Sequence, residues 1–310
     1  MATQNDTNTK ICVVIPCFNE SAAINDVVRS FQKYLPEADI YVFDNNSTDN
    51  TIEEAIVAGA KIRSVSKQGK GNVVQAMFRD VDADIYVMVD GDGTYLASEV
   101  QNLLCAQRES SADMVVGNRL NTYTDSQSRV GHHLGNRLIT QTVNYLFQSE
   151  LQDVLSGYRV LTKRFVKSTP LFSTGFEVET AISIHAIEID AKIVEVPISY
   201  QKRVEGSISK LNTIEDGVKI AWTIIKLFKD CKPTLIYGIL SLCFFLSSLG
   251  VGIPIILEYL ESGLVPRFPS AFLASALMIL CFLSLFSGII ISSVSKARRE
   301  IKKLAFLSLG

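Results

Sequence analysis

Two long uncharged segments near the carboxyl terminus place the strongest limit on how this chain can fold. Residues 234–257 and 268–295 contain no Asp, Glu, Lys or Arg, and the link at 261–270 carries two prolines. As a helix, each segment is long enough to cross a hydrocarbon core of about 30 Å. The sequence therefore predicts a transmembrane hairpin. The alternative is a buried hairpin of a soluble domain, but a domain this small could hardly cover both segments.

The basic residues beside these segments predict their orientation. Three lysines lie within 226–232 and five basic residues lie within 296–303, whereas the link has only Arg267. By the positive-inside rule, both ends of the hairpin face the cytoplasm, and so does the amino-terminal domain. We therefore expect an integral protein of the inner, plasma or an equivalent membrane, with its main domain on the cytoplasmic side.

The segment before the hairpin has the pattern of an interfacial helix. Between residues 213 and 232, apolar residues recur at helical spacing with lysines among them, and Trp222 is the only Trp of the chain. This pattern suits a helix in the membrane interface, with an amphipathic helix packed on the domain as the alternative. We accordingly divide the chain into a polar tail (1–10), an α/β domain (11–212), the interfacial helix (213–232), the transmembrane hairpin (233–295) and a basic cytoplasmic tail (296–310).

The amino-terminal two thirds of the chain alternates between short apolar runs and amphipathic segments. Strands are predicted at 11–16, 40–43, 60–65 and 85–89, and helices at 21–35, 51–58 and 71–80. Such alternation indicates an α/β domain with a mostly parallel sheet that helices cover on both faces. Ligands of these sheets bind beyond the carboxyl ends of the strands. Three polar segments fall there: 16–20, 44–49 and 90–92.

Charge and cysteine content argue against two classes of partner. The net charge of −2 provides no basic field, so we expect no nucleic acid. The six cysteines show no paired spacing, and no nearby His completes a zinc site. We interpret the cysteines as hydrophobic thiols in a reducing compartment. The first ten residues are polar, so we expect no cleavable secretory signal.

Two carboxylates come directly after the fourth predicted strand. Asp90 and Asp92 flank Gly91, and Gly93 follows. Carboxylates one residue apart at a strand end can share a divalent cation, which would neutralise a pyrophosphate. The glycines would let the backbone approach a ligand closely. An acidic loop without a metal is the alternative, so the interpretation depends on the surrounding segments.

Seven segments, in order along residues 10–215, support the metal site. They are VVIPCFNE (13–20), DNNSTDNT (44–51), KQGKGNVVQA (67–76), VMVDGDGTY (87–95), VVGNRL (115–120), DVLSGYRVLTKR (153–164) and KRVEGSISK (202–210). The first four resemble family 2 glycosyltransferases of the GT-A fold, and the last three are similar to the polyprenyl-phosphate sugar transferase branch. The resemblance implies a hexosyltransferase that inverts the sugar while moving a hexose or N-acetylhexosamine from a nucleotide-sugar to a polyisoprenyl phosphate. We expect the donor nucleotide to be UDP in preference to GDP.

The resemblance also implies the residues of the donor side. The implied nucleotide-sugar-binding residues are Pro16, Asn19, Glu20, Asp44, Lys70, Gly71, Asp90 and Gly91. Asp90 and Asp92 would hold the metal, Mg²⁺ or Mn²⁺, and Asp44 would accept from the edge of the base. The chain departs from the family pattern in two places. Asn45 and Asn46 replace an acidic-then-glycine pair, and Thr94 stands where some relatives carry a Gln, so the base and the third protein ligand of the metal stay open.

The acceptor side is implied by basic residues in the last three segments and between them. A lipid phosphate needs charged, bidentate donors, which Arg supplies, although any single Arg could be a solvated surface charge. The implied lipid-phosphate-binding residues are Arg119, Arg129, Arg159, Arg203, Ser207 and Lys210.

The resemblance further implies two catalytic residues, Asp153 and Asp92. A phosphate monoester has a second pKa of about 6, so the acceptor is already largely ionised at pH 7. We therefore expect Asp153 to position the acceptor, or to take a late proton, and not to act as a strong base. Glu177 and Glu179 are candidates for binding sugar hydroxyls, with a solvated helix start as the alternative.

Several alternatives remain for the function. A processive polysaccharide synthase would need an Arg-Trp acceptor motif, whereas Trp222 follows Ala221. A transporter fits poorly because two uncharged spans offer no polar pathway. An inactive, membrane-tethered nucleotide-sugar-binding protein and a transferase for another lipid acceptor stay open. The expected partners are the nucleotide-sugar, the polyisoprenyl phosphate and the lipid bilayer, and the sequence leaves open whether the protein is a homo-oligomer.

Overall fold

The computed structural model describes residues 9–119, 130–170, 178–203 and 222–309, except 223, 226–228, 230 and 266. The described residues form two compact units. The first lies within Met1–Ile220 and includes Ile301–Gly310 from the end of the chain. The second lies within Ala221–Glu300 and contains most of the two long apolar helices.

Strands and helices alternate along the first unit, as the sequence predicts. The strands are β1 Ile11–Cys17, β2 Asp39–Asp44, β3 Lys61–Ser64, β4 Ile85–Met88, β5 Met114–Asn118, β6 Arg159–Thr162 and β7 Ile193–Pro197. The helices are α1 Ile24–Tyr34, α2 Thr51–Val57, α3 Lys70–Asp80, α4 Val100–Ser110, α5 Val130–Phe147, α6 Lys163–Ser168 and α7 Val178–Glu188. The first four strands and first three helices lie within a few residues of their predicted positions.

The strands form one sheet with the order β3-β2-β1-β4-β6-β5-β7. β1 pairs in parallel with β2 and β4, β2 with β3, and β5 with β7. β6 runs antiparallel to both of its neighbours, β4 and β5. The sheet is therefore mostly parallel, which confirms the predicted α/β class.

Helices bury both faces of the sheet. Along β1, Val13 and Ile15 belong to one core layer, with side chains of α1 and α4. Cys12 and Val14 belong to the opposite layer, with side chains of α3 and α7. A strand buried on both faces reads as a continuous apolar run, which is why β1 was recognisable from its sequence. Burial also raises the pKa of the Cys12 thiol to about 11, as expected for an unreactive thiol.

The reversed strand β6 brings a loop to the carboxyl ends of the parallel strands. Arg159, its first residue, pairs with Met88 at the end of β4. The residues that enter β6 therefore lie beside Asp90, which follows Met88 closely in the chain. A Cβ at Gly157 would lie only 2.3 Å from Oδ2 of Asp90, so the carboxylate of Asp90 packs directly against the backbone of Gly157. The topology thus places the segment after Asp153 next to the predicted metal carboxylates.

Two long helices, α8 Pro233–Ser262 and α9 Phe268–Leu307, follow the α/β domain in the chain. Their most apolar stretches have mean hydropathies of 2.3 and 2.4 and are only 17% and 11% buried. The helices are antiparallel, because Ser241 Oγ donates to Cys281 O (3.0 Å) and Ser248 Oγ donates to Ala274 O (2.8 Å). So large an exposed apolar surface suits lipid better than water. Both helices are candidate membrane spans.

The last turns of α9 belong to the first unit and pack on the α/β domain. Phe306 is buried in the core layer of α3 and α7, and the guanidinium of Arg164 lies 4.7 Å from its ring centroid. Lys302 forms an ion pair with Glu188 (2.6 Å). Residues 301–307 of the predicted basic tail are therefore helical and contact the domain.

Most of the predicted interfacial helix, 213–232, lies outside the described residues. Trp222 is described, and its side chain is exposed. The interfacial position and the boundaries of the five predicted segments therefore stay predictions.

Candidate functional site

Hydrogen bonds join the loops after β1 and β2, where the resemblance places the nucleotide. The backbone N–H of Asn19 donates to Ser47 Oγ (2.9 Å), and Oδ1 of Asn19 accepts from the N–H of Thr48 (2.8 Å). Asn19 has a φ of 54°, in the left-handed region that Asn tolerates better than most residues. The backbone N–H of Glu20 donates to Thr51 Oγ1 (2.9 Å). The two loops therefore form one connected surface at the sheet edge.

Asp44, the last residue of β2, is buried at this edge. Its Oδ2 accepts from the N–H of Ser47 (3.2 Å). Its Oδ1 is buried and has no hydrogen-bond partner among the described residues. A buried acceptor without a partner costs free energy, so a donor on a ligand would stabilise it. Pro16 pairs with Phe43 in the register of β1 and β2, and therefore lies at the same edge.

Asn45, the first residue of the Asn45-Asn46 departure from the family pattern, anchors the loop before α3. Its amide nitrogen donates to the carbonyls of Val65 (2.8 Å) and Lys67 (3.0 Å), and its Oδ1 accepts from the N–H of Gly69 (2.7 Å). An ionised carboxylate accepts only, so an Asp here could not make the first two bonds. Asn45 therefore has a structural role, which leaves Asp44 as the carboxylate at the predicted base.

Lys70, the first residue of α3, connects two carboxylates of the site. Its Nζ lies 2.6 Å from Oδ1 of Asp90 and 2.5 Å from Oε1 of Glu179. Burial lowers the pKa of Lys70, but the two carboxylates raise it by more, so the side chain stays protonated. Glu179 is itself buried, so it is not the solvated helix start that was the alternative for this residue. Gly71 follows in α3 and is buried.

The turn formed by Asp90, Gly91 and Asp92 is held by close packing and by hydrogen bonds. A Cβ at Gly91 would lie 2.6 Å from Sγ of Cys17, so glycine permits the contact with β1. Oδ1 of Asp92 accepts from the backbone N–H (3.1 Å) and the hydroxyl (2.6 Å) of Thr94. The site carboxylates are therefore held in place by the protein itself. We call residues 90–95 the metal turn.

The oxygen atoms of the metal turn suit a divalent cation that also binds phosphate. Asp90 and Asp92 offer hard carboxylate oxygens, which Mg²⁺ and Mn²⁺ prefer. Among the described residues, no group of three His, Cys, Asp or Glu side chains could enclose a metal alone. Mg²⁺ commonly binds through one or two carboxylates, with phosphates and water as its other ligands. The residues therefore fit a cation that binds together with a diphosphate.

Asp153 is buried against Arg119, which directly follows β5. Its Oδ2 accepts from Nε of Arg119 (2.7 Å), and its Oδ1 accepts from Nη2 (2.8 Å) and from Nδ2 of Asn136 (3.2 Å). Burial raises the pKa of Asp153, but the hydrogen bonds and charge of Arg119 lower it by more, so the pKa lies below its ordinary value. A carboxylate held ionised in this way is a weak base and a strong partner for a guanidinium.

Arg203 contacts the metal turn. Its Nη2 lies 2.9 Å from Oδ2 of Asp92. The chain before it is attached to the same turn, because the N–H of Gln201 donates to Thr94 O (2.9 Å). The structure therefore brings a residue predicted for the acceptor to a residue predicted for the metal.

Arg159 lies inside the domain and not at the sheet edge. It is completely buried, its Nε donates to Ser156 O (2.8 Å), and its Nη2 donates to Val154 O (2.7 Å). Burial also lowers the pKa of this guanidinium. Arg159 thus supports the loop that carries Asp153, and its predicted contact with a lipid phosphate stays a prediction.

Four residues of the sequence predictions lie outside the described residues: Arg129, Ser207, Lys210 and Glu177. Their roles stay predictions. Two residues that the sequence analysis missed support the Asp153 loop. Glu195 on β7 accepts from the backbone N–H of Asp153 (2.9 Å), and the hydroxyl of Tyr95 accepts from the N–H of Gly157 (2.9 Å). Tyr95 belongs to a segment that resembles the family, which was a usable signal, whereas Glu195 sits in an ordinary strand.

Comparison with solved structures shows the fold of the α/β domain. Glucosyl-3-phosphoglycerate synthase from Mycobacterium tuberculosis, in complex with Mn²⁺, UDP and glucosyl-3-phosphoglycerate, superposes with a TM-score of 0.58. The match covers 72% of this chain and 80% of that one, at 22% sequence identity. This likeness confirms the predicted GT-A fold.

Comparison of sequences shows the family. Glycosyltransferase AglJ of Haloferax volcanii is 31% identical over 254 residues, which is 82% of each protein. Undecaprenyl-phosphate mannosyltransferase of Micrococcus luteus is 26% identical over 213 residues, 64% of this chain and 86% of that protein. Residues 12–168 match the sequence profile of the family described as glycosyl transferase family 2. With the site geometry above, these matches establish that the chain is a nucleotide-sugar glycosyltransferase and belongs to glycosyl transferase family 2.

Proposed function

We propose that this glycosyltransferase moves a hexose or an N-acetylhexosamine from a nucleotide-sugar to a polyisoprenyl phosphate, with inversion at the anomeric carbon. The observation that carries the proposal is the close approach of the Asp153 loop to the metal turn at Gly157 and Asp90. Asp153, four residues before Gly157, is paired with Arg119, and Asp90 would hold the cation on the diphosphate. Two candidate membrane spans on the same chain support a lipid acceptor.

The single free oxygen of Asp44 favours uracil over guanine. Uracil offers one N–H, which Oδ1 can accept alone, whereas guanine offers two neighbouring N–H groups, so Oδ2 would have to accept a second hydrogen bond. In this chain Ser47 already donates to Oδ2 of Asp44, and only Oδ1 lacks a partner among the described residues. We therefore propose UDP in preference to GDP as the nucleotide of the donor.

In the proposed reaction, an oxygen of the lipid phosphate attacks the anomeric carbon while the bond from that carbon to the nucleotide diphosphate breaks. The diphosphate leaves with the bonding electron pair, and a single in-line displacement inverts the sugar. A bound Mg²⁺ or Mn²⁺ would neutralise charge on the diphosphate. Because the acceptor is already ionised, alignment and charge neutralisation supply most of the rate enhancement.

The residues described here would act by position and charge. Asp153 holds the guanidinium of Arg119 through two hydrogen bonds, which orients it for an acceptor phosphate. Lys70 holds Asp90 and Glu179 together and offsets part of their negative charge. Neither role requires proton transfer, which agrees with the lowered pKa of Asp153.

A transfer assay tests the proposed function. The full chain is purified in detergent and incubated with undecaprenyl phosphate, Mg²⁺ or Mn²⁺ and a panel of radiolabelled UDP- and GDP-sugars. We expect label from a UDP-sugar to enter the organic phase, and excess EDTA to prevent it. Binding of the sugar nucleotides without transfer would contradict the proposal, and so would transfer only to another lipid class.

Asp44→Asn tests the donor base. We expect UDP to bind about ten- to a hundredfold more weakly, because a hydrogen bond to a charged acceptor contributes about 1.5–3 kcal/mol. Isothermal titration with UDP and Mn²⁺ measures the affinity. Asp39→Asn, at the exposed start of the same strand, is the matched control and should leave the affinity unchanged. An unchanged affinity in Asp44→Asn would show that Asp44 does not contact the base.

The proposed orientation has a separate test. A reporter fused after Gly310 should be cytoplasmic, and a cysteine introduced at Leu264 should react with a membrane-impermeant reagent from outside. Leu264 is exposed and lies between the ends of α8 and α9. The variant is made in a chain with its exposed native Cys105 and Cys243 replaced by Ser. Labelling at position 264 only after permeabilisation would reverse the proposed topology.

A further inference from the structure

We propose that Arg203 is an internal counter-ion of Asp92, that the divalent cation displaces it, and that metal binding thereby releases it for the acceptor phosphate. The second half of this proposal rests on the proposed function, whereas the first half concerns only the metal site. Arg203 would then couple the two halves of the active site. The acceptor would bind productively only after the metal and the donor.

Both carboxylate oxygens of Asp92 have partners in the described structure. Oδ1 accepts two hydrogen bonds from Thr94, which is the neighbouring part of the same turn. Oδ2 lies 2.9 Å from Nη2 of Arg203, the one ion pair of Asp92 among the described residues. A divalent cation at Oδ2 would meet the guanidinium at contact distance. Since like charges repel strongly in so buried a place, metal and guanidinium cannot share this oxygen.

Two described cations pair with the carboxylates of the metal turn, Lys70 with Asp90 and Arg203 with Asp92, and they are held differently. This difference identifies the one that moves. Lys70 contacts two carboxylates, those of Asp90 and Glu179, and its side chain is only 18% exposed. The side chain of Arg203 is 38% exposed, although its partner Asp92 is only 7% exposed. Arg203 therefore has solvent space into which its side chain can turn, and the divalent cation offers Asp92 the greater charge. We infer that Arg203 leaves and Lys70 stays.

The backbone before Arg203 keeps the released side chain at the site. The N–H of Gln201 donates to Thr94 O, and the ring of Tyr200 lies 5.3 Å from that of Tyr95. The same Tyr200 ring lies 5.4 Å from the guanidinium of Arg119. Release from Asp92 therefore frees a guanidinium only three residues beyond the ring that Arg119 contacts. Two guanidinium groups close together suit a phosphate monoester.

The first test measures metal binding without substrates. Mn²⁺ affinity of the full chain in detergent is determined by electron paramagnetic resonance for the wild type, Arg203→Ala, Arg203→Lys and Arg79→Ala. We expect Arg203→Ala to bind Mn²⁺ about three- to tenfold more tightly, because the competing ion pair is gone. Arg203→Lys should stay close to the wild type. Arg79→Ala removes an exposed Arg paired with Asp80 and is the matched control, with no expected change.

The second test measures binding of farnesyl phosphate with and without Mn²⁺ and UDP. We expect Mn²⁺ and UDP to increase this affinity in the wild type about tenfold, and Arg203→Ala to lose most of the increase. If Arg203→Ala binds Mn²⁺ no more tightly than the wild type, the cation does not displace Arg203 from Asp92. If Mn²⁺ and UDP leave the affinity for farnesyl phosphate unchanged, the proposed release of Arg203 is wrong. If Arg203→Ala binds Mn²⁺ more tightly but the wild type transfers no sugar to polyisoprenyl phosphates, Arg203 is a counter-ion of Asp92 and the proposed function is wrong.

Discussion

Asp92→Asn is expected to lower the rate of sugar transfer at least about a thousandfold, which is the loss of roughly 4 kcal/mol of transition-state stabilisation. The substitution keeps the shape of the side chain, and Oδ1 can still accept from Thr94. What it removes is the negative charge, which holds the cation on the leaving diphosphate. Folding should be nearly unaffected, because the ion pair that is lost has a partly exposed partner in Arg203.

The measurement is a transfer assay at saturating donor and acceptor, with thermal unfolding followed in parallel. Asp82→Asn is the control, because Asp82 pairs with Lys163 at the exposed surface of the same domain. It should retain full activity. An Asp92→Asn protein that keeps most of its activity in excess EDTA would show that the turn does not serve a metal.

Asp153→Asn is expected to reduce kcat about a hundredfold with little change in either KM. The pKa of Asp153 lies below its ordinary value because Arg119 pairs with it, so the carboxylate is ionised near neutral pH. The protonation state of Asp153 therefore does not change between pH 7 and pH 9, and the acceptor phosphate is already ionised in this range. Raising the pH over this range should not restore the variant. A rate that recovers steeply would identify Asp153 as a true base.

Loss of this charge should also destabilise the protein. Arg119 would keep its charge in a nearly buried position, and removing one partner of such a pair costs roughly 3–5 kcal/mol of unfolding free energy. The double variant Arg119→Gln/Asp153→Asn should regain part of that stability, because no unpaired charge remains. It should not regain activity if Arg119 and Asp153 position the acceptor. Activity that returns with stability would mean that the pair is structural only.

Local patterns in the sequence were sufficient for much of the fold. The run ICVVIP predicted β1, and the apolar spacing after residue 21 predicted α1, because burial imposes these periods on neighbouring residues. The same reasoning put Asp44 and Asp90 at strand ends, and hence at one edge of the sheet. The uncharged segments likewise predicted α8 and α9, since a hydrocarbon core requires length and apolarity, both of which a sequence displays.

Local sequence patterns could not predict which residues the site residues contact, because pairing over long sequence distances depends on strand order. Nothing in the pattern of residues 159–162 shows that β6 runs antiparallel between β4 and β5, yet this arrangement brings Gly157 against Asp90. It also buries Arg159, which its sequence segment suggested as an acceptor residue.

By itself the sequence determined the elements, the two candidate membrane spans and the residue types of the site, because each depends on near neighbours in the chain. Only the tertiary structure decided which charges meet. Lys70 reaches Glu179 and Arg119 reaches Asp153, although 34 residues separate the second pair. Arg203 reaches Asp92 from a segment that backbone bonding attaches to the metal turn. A buried charge needs a partner in space, and the position of that partner is set by the packed sheet.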